Sequence, residues 1–466
     1  MEEHQQTFDK KYTTRALLIM SGFIIMVLYI ETMLVASLPS IAKQFSVDPA
    51  EVSLVLSLYL VSGVALNPVV GKLADIYGKK RMLKYLLPIY VIAVGVTGFS
   101  PNFIFMLVSR TIQGVGLTIF PLLISLVQEE FPREMVPRSI AIIVSMFGIG
   151  SALGLPLGSL ISNSYGWQTT YHTALPVVII VVALMLLYLR ESRYVRPDAK
   201  VDYIGAVTLA IALATFVFVL SEGFAFGWES ALILTLLAIG IVSAAVLYLY
   251  ERRVQEPVVS MKLLGIKNVM NANLITFIVG LAFFFVYQSF AYLFESPAPL
   301  GFGFNIFQAG LAIVPFSLAN IIVAPLAGQM IPKVGVKPFF MAGAVLGIIG
   351  FLVSSMNGGF YLAVIGEAII GFGVAFINVP TVNLLVLSID RREMGIATAL
   401  NSVFRFMGSA IGAPLAGIFI VEFASKAAFQ YSFYFAAVLI FFVIVISLRT
   451  DEILGHKKKL EEEVSV

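Results

Sequence analysis

Between two long apolar runs the chain reads Gly71-Lys72-Leu73-Ala74-Asp75-Ile76-Tyr77-Gly78-Lys79-Lys80-Arg81-Met82-Leu83. Residues 50–70 before it carry only Glu51, and residues 83–100 after it carry only Lys84. Crossing about 30 Å of hydrocarbon takes roughly 20 residues of helix, so the stretch is a short polar connection between two membrane spans. Gly71 and Gly78 permit a tight turn and a close helix approach. Asp75 suits a helix N-terminus or a basic partner across a bundle interface. The run Lys79-Lys80-Arg81 belongs on the cytoplasmic face.

The same reading extends along the whole chain. Mean hydropathy is +0.96 and only 12% of residues are charged, half the roughly 25% of a soluble domain. Spans are expected near 16–41, 50–70, 83–100, 103–128, 139–162 and 171–189, then 203–221 and 230–250. Six more lie near 269–294, 306–330, 338–356, 360–388, 393–421 and 430–448, fourteen in all. With the N-terminus inside, the outer loops hold only Lys43 and Lys426, and Arg110 and Arg405 fall within spans. The other 26 of 30 Lys and Arg lie on the inner side, including Arg190 to Lys200, Arg252-Arg253, Arg391-Arg392 and Lys457 to Lys459. A missed span would scramble that bias, so both termini are expected in the cytoplasm of a multi-pass cell-membrane protein. The first apolar stretch has no small-residue cleavage site and reads as a retained span.

Part of the chain is repeated. Pro68, Gly71 and Gly78 recur as Pro325, Gly328 and Gly335, and Gly114 and Gly116 recur as Gly371 and Gly373, always 257 residues on. Gly150, Gly154 and Pro156 recur at Gly408, Gly412 and Pro414, 258 residues on. This predicts an all-α fold of two six-helix bundles, 15–190 and 269–449, between cytoplasmic tails at 1–14 and 450–466. Residues 191–268 form a linker with a two-helix insertion that has no counterpart in the repeat. It reads as a peripheral hairpin bridging the bundles.

At this point the sequence resembles the 14-span drug:H⁺ antiporters of the major facilitator superfamily, over nearly its whole length. The loop 71–83 is similar to the superfamily's signature, with Ile76 where an Arg is usual. The resemblance implies that Gly71, Asp75, Gly78, Lys79, Lys80 and Arg81 form a conformational latch. The second copy has Pro332 in place of Asp75. Arg110-Thr111-Ile112-Gln113-Gly114-Val115-Gly116 is similar to the family's span-4 motif, and Glu31-Thr32 in span 1 stands where the antiporters have Asp-Thr. Asp202-Tyr203-Ile204-Gly205 resembles a short pattern of the 14-span group. Gly150, Gly154, Pro156 and Gly158 resemble the antiporter motif of span 5, with the Pro one place late and Ser159 for its last Gly.

Few ionisable groups lie within the spans: Glu31, Arg110, Glu367 and Arg405, with Glu295 near an outer end. A charge at the bilayer centre costs about 2.5–3.5 kcal/mol, so these side chains should face the bundle interior. At helical rise Glu31 lies about 18 Å below Lys43 and Arg110 about 12 Å below Asn102, at overlapping depths. The 257-residue repeat sets Arg110 against Glu367 and Glu31 against Gln288. Glu31, Arg110 and Glu367 are the candidates for proton coupling. Proton and cationic substrate competing for Glu31 is the minimal physics of antiport; a carboxylate that only neutralises Arg110 is the alternative. Arg405 is expected to pair with an acid across the second bundle. Glu31, Tyr287, Gln288, Tyr292, Asn378 and Asn383 are candidate cavity residues, and ordinary interhelical hydrogen bonding explains each of the polar ones as well.

The chain has no Cys, and His4, His172 and His456 are scattered, so no metal site or cofactor is expected. It lacks a phosphate loop, a zinc-protease motif and a nucleophile elbow, and its connections are too short for a folded soluble domain. No enzymatic activity and no nucleic-acid partner are expected. The partners are protons, a small organic molecule and the bilayer, with the protein as a monomer. Three functions remain open: a proton-coupled exporter of amphipathic or cationic compounds, a proton-coupled transporter of one metabolite such as a siderophore or organic acid, and a non-transporting receptor or scaffold.

Overall fold

The computed structural model describes residues 10–132, 135–191, 195, 201–254, 257–356, 359–389, 394–423 and 426–451. The basic groups at 196–200, 391–392 and 457–459, and most of both tails, lie outside these residues. The first part of the chain forms α1 (Lys10–Thr32), a 3-10 turn (Val35–Ser37), α2 (Leu38–Phe45), α3 (Pro49–Val52), α4 (Leu54–Tyr77) and α5 (Lys79–Thr97). It continues with α6 (Phe103–Gln113), α7 (Val115–Glu130), α8 (Val136–Tyr165) and α9 (Trp167–Tyr188). Then come α10 (Tyr203–Phe226), α11 (Ala231–Glu251) and α12 (Met261–Leu264). The last part holds α13 (Lys267–Glu295), α14 (Ile306–Ala312), α15 (Val314–Val334), α16 (Lys337–Ser355), α17 (Phe360–Ser388), α18 (Met394–Phe423) and α19 (Lys426–Arg449). Among the described residues there is no strand. In hydrocarbon each peptide group must be satisfied within its own segment, and a helix does that.

Eleven of these helical stretches are long and apolar enough to cross a membrane. Three further helical stretches, α5, α8 and α14–α15, occupy the remaining expected positions. Polar caps mark several starts: Asp48 accepts from the backbone of Ala50 and Glu51, Asn102 from Phe105, and Asp202 from Gly205. Gly78 ends α4 at φ +97° and Gly335 ends α15 at φ +89°, a region that favours glycine because it lacks Cβ. Gly71 plays no such part, since a methyl group there would meet nothing within 4 Å.

Helices α1, α4–α9 pack on one another, and α13, α15–α19 on one another. Two matched approaches relate the sets. Gly114 lies on the Tyr59 carbonyl and Gly371 on that of Phe316, both displaced by 257 residues. Gly154 lies on the Tyr29 carbonyl and Gly412 on that of Leu281. This second register moves the first helix of each set by 252 residues. By packing, the counterpart of Glu31 is therefore Phe283, not Gln288, and the five extra residues of the second set sit in the connection 296–305 between α13 and α14.

The sets touch along α4 with α18 and α8 with α14 and α15. Their named contacts lie at the end away from loop 71–81. Gln288 Nε2 donates to the Pro49 carbonyl at 2.8 Å, Gly417 admits the backbone of Pro49 and Ala50, and Gly310 rests on Leu155 and Ser159. The insertion is asymmetric. Helix α10 packs on both α4 and α18 and buries Ala206, Leu209, Leu213 and Val217, whereas α11 packs chiefly on α10.

Close approach of α1 to α8 depends on Gly150, Gly154 and Gly158, which lie on the backbone at Ile25, Tyr29 and Met33. Gly154→Val is expected to cost about 1–3 kcal/mol by overpacking, read as a lower thermal unfolding midpoint in detergent. Gly71→Ala should leave that midpoint unchanged; equal midpoints for both variants would refute the packing register.

Candidate functional site

Helix α1 breaks at Thr32, one residue after Glu31, so Glu31 and Lys43 are not on one straight helix as their spacing had suggested. The Thr32 hydroxyl donates to the Leu28 carbonyl at 2.9 Å and ties off the last turn. Glu31 is only 6% exposed. Among the described residues it has no hydrogen-bond donor and no cation within 4 Å. The guanidinium groups of Arg110 and Arg405 both act on it electrostatically from farther away. A bare carboxylate in such surroundings is costly until a proton or a cation balances it.

Arg110 is fully buried, and among the described residues no acid lies at contact distance from it. Its Nε donates to the Val55 carbonyl at 2.9 Å, Nη1 donates to Gln113 and, at 3.4 Å, to the Tyr171 hydroxyl. The guanidinium lies 4.5 Å from the Tyr59 ring centroid, a cation–π contact that is stronger out of water. Nη2 is left without a partner. Arg110 sits in the last turn of α6, where the carbonyl end of the helix favours a cation. Gln113 was visible as part of a motif; Tyr59, Tyr90 and Tyr171 carried no sequence signal, because their grouping depends on which helices are neighbours.

Arg405 differs from its expected role. Among the described residues no acid lies within 4 Å of it, and the carboxyl whose charge it feels is Glu31 of the opposite set. One turn before it, Asn401 Nδ2 donates to Asn273 and to Thr276 on α13, at 3.1 and 2.8 Å. Among the described residues, both Arg405 Nε and Asn273 Nδ2 are buried without an acceptor.

Glu367 is 1% exposed, and its Oε2 has no partner among the described residues. Tyr287 lies within electrostatic reach of both Glu367 and Glu31. It shares a 3.2 Å hydrogen bond with Ser317 and stacks on Phe283 at 4.4 Å between centroids. Gln288 donates to the Pro49 carbonyl, and Tyr292 is buried on the same helix with its hydroxyl unpartnered among the described residues. Asn378 is exposed, and Asn383 donates to Val379 of its own helix at 2.9 Å. Glu31 thus feels the charges of Arg110 and Arg405, and Tyr287 those of Glu31 and Glu367, while Gln288 and Asn383 are engaged in hydrogen bonds elsewhere.

The latch residues are also placed differently. Lys79 is 4% exposed and lies 3.6 Å from Asp75 and 2.5 Å from Glu129 of α7, while the Lys80 amide donates to Glu191 at 2.9 Å. Asp75 is therefore tied to the basic run of its own loop, within one set of helices, not to a partner across the interface. Arg81 is exposed.

The chain matches the family described as Major Facilitator Superfamily over residues 20–335 and 272–465. It is 27% identical over 407 residues to "Multidrug resistance protein Stp" of Mycobacterium tuberculosis, covering 86% of this chain and 74% of that protein. To "Multidrug resistance protein 3" of Bacillus subtilis it is 25% identical over 369 residues, 78% of this chain and 71% of that protein. In fold it is similar to a bacterial homologue of the human lysosomal transporter Spinster, solved inward-facing and unoccupied. That likeness has a TM-score of 0.69 at 13% identity and covers 95% of this chain and 98% of the other. The human organic anion transporter MFSD10 gives a TM-score of 0.64 at 16% identity, over 93% and 99%.

Removing the Lys79 charge takes the ion-pair contact from Asp75 and one partner from Glu129. Lys79→Met is expected to cost about 1–3 kcal/mol, less than a fully buried pair because Asp75 is partly exposed. Lys80→Met, whose side chain joins no ion pair, should cost little. Equal unfolding midpoints for the two variants would remove Lys79 as the anchor of this loop.

Proposed function

The chain belongs to the major facilitator superfamily, a family of membrane transporters, and from that premise we propose that it is a proton-coupled antiporter exporting amphipathic or cationic organic compounds. The observation that carries this reading is Glu31, buried and without a counter-ion at contact distance, beside a break in the first long helix. Such a carboxyl holds either a proton or a cation, and two ligands that exclude each other at one group are exchanged across the membrane when the group changes sides. The names of the relatives support export of drug-like compounds.

The eleven apolar stretches together with α5, α8 and α14–α15 make fourteen spans, arranged as bundles at 15–190 and 269–449 with the hairpin between them. The placement of basic residues puts loop 71–81 and both termini in the cytoplasm of the cell membrane. The contacts of Pro49 and Ala50 with Gln288 and Gly417 then seal the outer side, and the protein faces inward. Rocking of the bundles opens that seal and carries Glu31 to the other face. Glu367, buried without a cation at the position matched to Arg110, serves as a second proton-binding group. The protein acts as a monomer, since each chain holds both bundles.

In proteoliposomes, adding a hydrophobic cation should release protons from the wild-type protein, and Glu31→Gln should abolish that release while sparing the unfolding midpoint. Unchanged release would exclude Glu31 from coupling. Glu367→Gln is expected to lower the number of protons released per cation bound, measured by pH-indicator titration; an unaltered ratio would make Glu367 purely structural.

A further inference from the structure

The two ends of the inserted hairpin bring a pair of carboxylates together. Asp202 caps α10: its Oδ1 accepts from the Gly205 amide at 2.7 Å and its Oδ2 from the Val258 amide at 3.4 Å. Glu251, the last residue of α11, is 2% exposed, and its Oε1 accepts from the Val259 amide at 3.2 Å. Both side chains converge on Gly205, where a methyl group would overlap Asp202 Oδ2 and Glu251 Oε1 at once. The two oxygens therefore stand about 5 Å apart or less, a range in which like charges oppose each other's ionisation. Glu251 Oε2 is buried and has no partner among the described residues.

No cation at contact distance offsets the pair. Among the described residues neither acid has a Lys or Arg within 4 Å, and the charge that acts on Glu251 is that of Asp202. Arg252 lies over the Tyr248 ring, 5.4 Å from its centroid, and is exposed like Arg253. Helices α4 and α18 pack on α10, but Lys72, Asp75 and Arg405 on them pair with neither acid, nor does Lys262 of α12. The two helix ends treat a negative charge oppositely. Asp202 sits at the amide end of α10, which favours an anion, and Glu251 at the carbonyl end of α11, which disfavours one. A proton shared by the pair therefore belongs on Glu251. Placed on Oε2, it gives the unpartnered oxygen a hydrogen to donate and leaves Oε1 free to accept from Val259.

We propose that Asp202 and Glu251 hold one proton between them and act as a pH-sensitive clasp, tying the inserted hairpin to the second set of helices. The tie runs through Val258 and Val259. Val259 is buried, Ser260 caps α12 by accepting from the Leu263 amide at 3.4 Å, and α13 begins at Lys267. Ionising Glu251 sets two like charges side by side away from water, and letting go of Val258 and Val259 hydrates them. The clasp is firm below the titration of Glu251 and slackens as pH rises through it. With the basic residues inside, it faces the cytoplasm. It does not depend on the antiport reading.

Amide hydrogen exchange of the full-length protein in nanodiscs, followed by mass spectrometry from about pH 6 to about pH 9 and corrected for intrinsic rates, tests the clasp. Protection of the peptide holding Val258 and Val259 should fall by up to tenfold per pH unit above the titration of Glu251, as one-proton linkage requires, while that of α16 stays level. Glu251→Gln keeps an acceptor for Val259 and carries its own hydrogens in place of the proton, so its protection should stay high throughout. Asp202→Asn takes away the opposing charge and should shrink the fall; it decides the matter if Glu251→Gln does not fold. Wild-type protection that is level with pH, a fall that α16 shares, or a fall kept in full by either variant overturns the proposal.

Discussion

An ionisable side chain inside hydrocarbon cannot rely on water, and the structure is organised by how each such group is answered. Arg110 is answered locally and completely enough to be fully buried, through a main-chain carbonyl, an amide, a phenol and an aromatic face. Glu31 and Glu367 are buried and left without a cation at contact distance. The difference separates a group answered by its own helices from groups that, under the proposed antiport, exchange a proton or a cation. Replacing a buried partner costs several kcal/mol when it strands a charge, so the unanswered carboxyls are the places where a proton or ligand has most leverage.

The positions of the helices were legible because hydrophobic length and basic-residue placement are one-dimensional signals. The glycine repeat likewise announced the matched contacts of Gly114 with Tyr59 and Gly371 with Phe316. What the sequence hid was register between helices distant in the chain. A constant 257-residue offset matched Glu31 to Gln288, yet the packing of Gly154 and Gly412 shifts the first helices to 252 and matches Glu31 to Phe283. An insertion in a connecting loop is invisible to motifs on either side of it.

The same limit explains the site. Glu31, Arg110, Glu367 and Arg405 stood out by charge alone, whereas the tyrosines around Arg110 are ordinary residues until the fold gathers them. Arg405 was assigned an acid within its own half because charges in membranes usually pair; the neighbouring Asn401, Asn273 and Thr276 instead form a neutral network among themselves. Asp75 suits a helix N-terminus or a basic partner across the interface by residue type, and lies 3.6 Å from Lys79 of its own loop. Spacing along a chain tells which residues share a face, not which face lies opposite.

The inserted helix α10 rests one flank, through Leu209, Leu213 and Val217, in the seam where α4 meets α18. Acyl chains are as apolar as leucine, so uncovering that flank to lipid carries little hydrophobic penalty. Parting the inner faces around Glu31 instead admits water to charged groups. Under the proposed rocking, the two margins of the seam are lubricated by different fluids, oil on one side and water on the other, and only the watery margin has an energy that cargo can alter.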